Sequence, residues 1–272
     1  AGLPLATLES PFHDINISRN GAYHNVEFSQ GRETMDRDFV LQWQPVASKA
    51  PTAAVFSERV DGDDYLLLML VPPQQQLPST LPRNVNFIID TSGSMQGTSI
   101  VQAKASLQMA LQTLLPKDKF NIIDFNSNHQ SFASRAINAS ADNIKRAQDY
   151  VGALQAGGGT EMYAPLQQSL TDNANSAQLA QIIFITDGSV GNEEALFKLI
   201  KAELGSARLF TVAIGSAPNS YFMRKAAQFG RGSFTHIGNS SEVSSKMSRL
   251  FLQLQSPLLR DISVEWPQHS SV

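Results

Sequence analysis

No cysteine occurs among the 272 residues of this chain. That absence excludes a disulfide framework, thiolate metal ligands and a cysteine nucleophile, and leaves the redox compartment open. Long apolar runs are missing as well: the longest, Leu66 to Val71, is six residues, against the roughly 20 that a membrane-spanning helix needs. Positive charge is not in excess. A formal net charge of −3 and a pI near 6.0 supply no basic field for phosphate backbones, so nucleic acid is not an expected partner. The opening residues, AGLPLATLESP, have neither the basic stretch nor the apolar core of a signal peptide, and the expectation is a mature product or an excised piece. Histidines stand only at 13, 24, 129, 236 and 269, without a metal-ligand spacing, and read as structural or surface groups.

What is present is ordinary for a well-cored globular chain: 42% hydrophobic and 17% charged residues, enough for one large domain or two small ones. The first 75 or so residues read as β-sheet, with HDINISRN, YHNVEFSQ, RDFVLQW and DYLLLMLVPP separated by Gly, Asn and Pro turns. Trp43 and Trp266 fall in such β segments and are expected to pack a core. PPQQQLPSTLPRN at 72–84 suits an extended connection. From residue 85 short apolar strands alternate with segments of helical periodicity, the pattern of a doubly wound, mostly parallel α/β domain. Strands are expected at 85–90, 119–126, 181–188, 208–215 and, as GSFTHIG, 232–238, with an edge strand at 130–134. Helices are expected at 98–115 and 140–154, after Thr160, and in three later segments ending with 242–255. After 256, LLRDISVEW returns to a β pattern. The expected organisation is a β-sheet region over 1–80, an α/β domain over 83–255 and a return strand over 256–272.

In an open parallel sheet, ligands bind beyond the carboxyl ends of the strands. Three segments bring small oxygen-bearing residues to that edge: Asp90-Thr91-Ser92-Gly93-Ser94, Gly157-Gly158-Gly159-Thr160 and Asp187-Gly188-Ser189. Two carboxylates and three hydroxyls match a hard cation such as Mg2+, which takes about six oxygens at close range and keeps some waters; Mn2+ or Ca2+ would accept the same donors. Held mainly by neutral hydroxyls, such an ion stays electrophilic and can draw an anionic oxygen from outside. Three other readings compete. An aspartic-protease-like pair of Asp90 and Asp187 is opposed by Ser92, which interrupts the Asp-Thr-Gly order, and by the alternating helices. A Mg2+-dependent hydrolase or phosphotransfer enzyme with Asp90 as nucleophile would want a second aspartate two residues on and a lysine partner. A phosphate cradle at Gly157–Gly159 lacks the Lys-Ser/Thr of a P-loop.

Asp90-x-Ser92-x-Ser94, followed by Thr160 and Asp187, resembles the metal-ion-dependent adhesion site of von Willebrand factor type A domains, over about residues 83 to 255. The resemblance implies that Ser92, Ser94 and Thr160 touch the metal directly and that Asp90 and Asp187 act partly through water. SPFHDI, MDRDFVLQW and YLLLMLVPP before the domain and SPLLRDISVEW after it resemble the inter-alpha-trypsin inhibitor heavy chains and bacterial surface proteins of the same domain order. The missing cysteine and short loops lean to the bacterial members. The implied protein is a non-enzymatic adhesion module, secreted or on the cell surface. Through Mg2+ it binds the exposed carboxylate of a protein or extracellular-matrix-like ligand.

Overall fold

The structure is a computed structural model that describes residues 3–10, 13–21, 23–32, 39–46, 52–71, 81–174, 176–188 and 191–255. The chain divides into two compact units, Ala1–Pro78 and Ser79–Val272. Most of the 72–84 connection, the return segment at 256–272, Trp266, His269 and Ser189 lie outside the described residues.

Among its described residues the amino-terminal unit has three two-stranded antiparallel ladders. Strand β1 (Leu5–Glu9) pairs with β4 (Gln42–Pro45), β2 (Ile15–Asn20) with β3 (Tyr23–Phe28), and β5 (Thr52–Val60) with β6 (Asp63–Val71). The last hairpin turns through Asp61 and Gly62, both at positive φ, the conformation that a tight two-residue hairpin turn demands. Trp43 corrects one expectation: it is 47% exposed and lines an open cleft of about 430 Å³ with Leu8, Val26, Phe56 and Met69. Among the described residues strand β4 has one partner, and it is four residues long, too little sheet to enclose an indole.

Among its described residues the second unit is a seven-stranded sheet between two helical layers. Its strands are β7 (Arg83–Asp90), β8 (Lys119–Phe125), β9 (His129–Ser131), β10 (Ile137–Asn138), β11 (Leu179–Thr186), β12 (Arg208–Ile214) and β13 (Arg231–Ile237). They run in the order β10-β8-β7-β11-β12-β13, with β9 also on β8. The five long strands are parallel; β9 and β10 are antiparallel to β8. Alternation along β7 explains the two layers, because side chains of successive strand residues face opposite ways. Val85, Phe87 and Ile89 enter one core with helices α1 (Thr98–Gln112), α2 (Ala141–Ala153) and α6 (Val243–Gln255). Ile88 enters the other with α3 (Tyr163–Ala174), α4 (Glu193–Glu203) and α5 (Ser220–Phe229). The fold is the mostly parallel α/β sandwich expected.

Strand β7 begins at Arg83 instead of 85 and β11 covers Leu179–Thr186 instead of 181–188, and two further differences have local reasons. Helix α1 stops at Gln112 instead of 115, because the turn beyond it folds onto Asp118, whose Oδ2 accepts Leu115 N at 2.9 Å. The same carboxylate binds Arg83 at 2.5 Å, with both side chains buried, and accepts the Arg83 backbone N–H at 3.0 Å. The edge expected at 130–134 is split into β9 and β10. Between them Asn121 takes over the pairing, donating to Ala133 O at 2.9 Å and accepting Ala133 N at 3.1 Å, so a side chain stands where strand ladder would continue.

Candidate functional site

The sheet order reverses between β7 and β11: the chain goes from β7 to β8 on one side and then crosses to β11 on the other. Asp90 is the last residue of β7 and Asp187 follows the last residue of β11, so both acids stand at the switch point, where two strand ends diverge and leave a crevice.

Asp90 is fully buried. Its Oδ1 accepts Ser92 N at 2.7 Å and its Oδ2 accepts the Thr186 hydroxyl at 2.5 Å. Thr91 fastens the strand exit to β8, donating to Phe125 O through its backbone N–H at 2.8 Å and its hydroxyl at 2.9 Å. Ser92, in extended conformation, precedes a single 3₁₀ turn at Gly93–Met95, its carbonyl accepting Met95 N at 3.1 Å. That turn brings Ser92 Oγ and Ser94 Oγ to 3.1 Å of each other, with Ser92 buried and Ser94 exposed. The hydroxyls form a short row leading from the buried carboxylate to solvent.

Backbone hydrogen bonds sew the glycine loop to this row. Gly157 N donates to Thr91 O at 2.8 Å and Gly93 N to Gly158 O at 3.0 Å, and Gly159 N donates to Ser127 Oγ at 2.7 Å. A Cβ on Gly93 would stand 3.2 Å from Gly158 O, which explains a residue without one where the loops touch. Thr160, half-buried, follows directly. On the other side Asn219 anchors Asp187: its N–H donates to Asp187 O at 2.9 Å, its Oδ1 caps α5 by accepting Phe222 N at 3.1 Å, and its amide donates to Glu193 Oε1 at 2.6 Å. The Glu193–Glu194 pair opens α4, where negative charge suits the helix dipole.

Burial pushes the Asp90 carboxyl above its ordinary pKa; the Ser92 and Thr186 hydrogen bonds pull it back, and the charge of Asp187 raises it again. Two acids therefore feel each other across the crevice. Among the described residues no three His, Asp or Glu side chains gather as a ligand cluster; the donors here are mostly hydroxyls. The residues brought together are Asp90, Ser92 and Ser94 in one turn, the Thr160 loop against it and Asp187 across the strand boundary. Two adjacent acids flanked by hydroxyl oxygens fit a hard divalent cation.

Three residues of this arrangement do not appear in the sequence reading. Thr186 ends the apolar run QIIFIT and reads as strand filler, Ser127 belongs to the Asn126–Asn128 turn, and Asn219 stands at a helix start where capping is the usual account. The one signal for Thr186 is a hydroxyl directly before the aspartate, at the end of the apolar run IIFI.

The profile of the von Willebrand factor type A domain matches residues 83–235, more than half of the chain, and the chain belongs to that family. By sequence it is 30% identical over 205 residues to an inter-alpha-trypsin inhibitor heavy chain of Bos taurus, covering 71% of this chain and 22% of that protein. It is 28% identical over 187 residues to a von Willebrand factor A domain-containing protein of Dictyostelium discoideum, covering 68% and 20%. The chain thus spans about a fifth of the length of these relatives. A solved von Willebrand factor type A structure from Catenulispora acidiphila superposes with a TM-score of 0.56 at 21% identity, over 75% of this chain and 46% of the other. A variant of the PilB minor pilin of Streptococcus sanguinis gives 0.56 at 12% identity, over 89% and 78%. These two likenesses concern the fold. The match ends at residue 235, but α6 beyond it belongs to the same core through Met247, Leu250, Phe251 and Leu254.

Proposed function

We propose that this chain is a non-enzymatic, metal-dependent ligand-binding module of a secreted or cell-surface protein, and that Asp90, Ser92, Ser94, Thr160 and Asp187 form its Mg2+ site. The observation that carries the reading is the pair of hydroxyls 3.1 Å apart, Ser92 Oγ and Ser94 Oγ, leading out from a fully buried Asp90. Ser92, Ser94 and Thr160 would hold the ion directly, with Asp90 and Asp187 behind them. When bound, a divalent cation supplies an electrophilic centre for an anionic oxygen, here the carboxylate of a protein or extracellular-matrix-like partner.

Charge supports the same reading. In the loop segments 91–97, 126–128, 155–162, 187–192 and 215–219 the only acids are Glu161 and Asp187, and there is no lysine or arginine. These loop segments supply no lysine or arginine of their own, and Asp90 adds a third acid. An acidic ligand would be repelled from this face without metal and drawn to it with metal. The hydroxyls orient, and the buried Asp90 holds the charge balance. The competing aspartic-protease reading wants a nearly all-β frame, whereas the acids here stand in a sheet whose long strands alternate with helices. A phosphotransfer reading with Asp90 as nucleophile conflicts with its carboxylate being engaged at both oxygens by Ser92 N and Thr186.

The test is calorimetric titration of Mg2+, then Mn2+, into chelator-treated protein beside Asp90→Ala and Ser92→Ala. The expected result is saturable binding to the parent chain and loss in both variants, with folding retained in chelator by circular dichroism. Binding of equal strength in all three proteins would overturn the site, and no binding to the parent chain would overturn the function.

A further inference from the structure

After Gln181, strand β11 runs through the apolar Ile182, Ile183, Phe184 and Ile185 to Thr186, and all eight of its positions are buried. A hydroxyl in such a place is costly unless its hydrogen bonds are made. Thr186 makes two. Its oxygen accepts Gly188 N at 2.9 Å, and because a backbone N–H only donates, the direction of that bond is fixed. The one proton of the hydroxyl is then left for its other neighbour, Asp90 Oδ2, at 2.5 Å. A chain of fixed polarity runs from the Gly188 N–H through Thr186 to the Asp90 carboxylate, joining the turn that carries Asp187 to the strand end that carries Asp90.

The anchor is stiff at each link. Threonine is branched at Cβ and holds few χ1 states in a strand. Gly188 has a φ of +73°, and a Cβ there would lie 3.1 Å from Met223 Cγ and 3.2 Å from Asn219 Cβ, so its N–H is held in place by backbone geometry and packing. The other Asp90 oxygen is fixed by Ser92 N at 2.7 Å. With both oxygens tethered the carboxylate cannot rotate, and one tether crosses from β7 to the neighbouring strand.

We propose that Thr186 is a positioning residue of the metal site: its hydroxyl sets the orientation of the Asp90 carboxylate and locks it to the Asp187–Gly188 turn, so that metal affinity depends on a residue that does not itself face the ion. This rests on the metal-binding function proposed above. Groups that hold a metal-site carboxylate from behind typically contribute 10- to 100-fold in affinity, and Thr186→Val, which keeps the shape and removes the hydroxyl, is expected to weaken Mg2+ binding by about that factor.

The experiment measures the Mg2+ dissociation constant calorimetrically, and the melting temperature in chelator, for the parent chain, Thr186→Val, Thr186→Ser and Asp118→Asn. Asp118 is the control: it is also fully buried, and it holds Arg83, the first residue of β7, at the end of that strand opposite Asp90. The expected result is weakened binding in Thr186→Val, affinity near that of the parent in Thr186→Ser, and in Asp118→Asn a lowered melting temperature with unchanged affinity. Should Thr186→Val not fold, Thr186→Ala removes the same hydroxyl with less steric demand and is read in the same way. An affinity in the folded hydroxyl-less variant within twofold of the parent, or one no more reduced than that of Asp118→Asn, overturns the positioning role and leaves the metal function standing. A parent chain that binds no Mg2+ overturns both.

Discussion

Strands β7 and β6 are both rich in large apolar residues, yet they end in opposite environments. RNVNFIID of β7 is buried at all eight positions. DDYLLLMLV of β6 leaves Leu66, Leu68 and Leu70 on one face and Tyr65 and Leu67 on the other exposed, Leu66 by 72%. The neighbours make the difference. β7 has a parallel partner on each edge and a helical layer against each face, as an all-parallel strand requires. Among the described residues β6 has one antiparallel partner, β5, and a lone hairpin covers neither of its faces. An apolar run states what a strand is able to bury; the rest of the fold decides whether it does.

The comparison can be broken most directly by truncation. Phe87→Ala opens a hole in a fully packed core and should cost about 3–5 kcal/mol, read from urea unfolding followed by far-UV circular dichroism. Leu68→Ala in β6, half exposed, should cost well under about 1 kcal/mol. Equal losses would mean that the hairpin is buried in solution and the contrast is wrong. Ion pairs sharpen the same point. Asp118→Ala strands the buried Arg83 guanidinium and should cost about 3 kcal/mol or more in the same experiment. Asp64→Ala, which breaks the exposed Arg59–Asp64 contact at 3.7 Å, should leave the unfolding midpoint unchanged.

A smaller effect comes from Asp124 on β8. Burial pushes its carboxyl above the ordinary value, while the hydrogen bond from Tyr150 on α2 and the nearby His129 pull it back. The folded chain therefore holds that proton more tightly than the unfolded one. Stability from this group is full below its ordinary pKa and is lost as pH rises through the raised value. Asp124→Asn should flatten the fall in unfolding free energy between acidic and neutral pH, and Tyr150→Phe should steepen it. A parent and an Asn variant with parallel pH profiles would exclude Asp124 as a contributor.

Most of the second unit was legible in the residues because its signals agree with one another: aliphatic strands, helices with apolar spacing and small residues at strand ends. Leu107 and Leu111 of α1 and Ala147 and Val151 of α2 are buried as their periodicity requires. Asp90, Ser92 and Ser94 were legible because their spacing folds into one turn. The Thr186 tether was not, because it depends on which strands become neighbours, and β11 follows β7 by about ninety residues of chain. In the first unit β1 and β5 escaped notice, since LATLE and TAAVFSERV lack a clean alternation. The Asp61-Gly62 pair between TAAVFSERV and DDYLLLMLV was the available hairpin signal.

The Asn121 side chain that interrupts the edge beside β8 bears on how the sheet meets other chains. An open strand offers a row of amides and carbonyls on which another molecule can polymerise. At this border the row is cut into a three-residue and a two-residue piece, and the gap is closed from within by one carboxamide that answers both a donor and an acceptor. Such a border is a poor template, because a strand arriving there finds too short a register to align against.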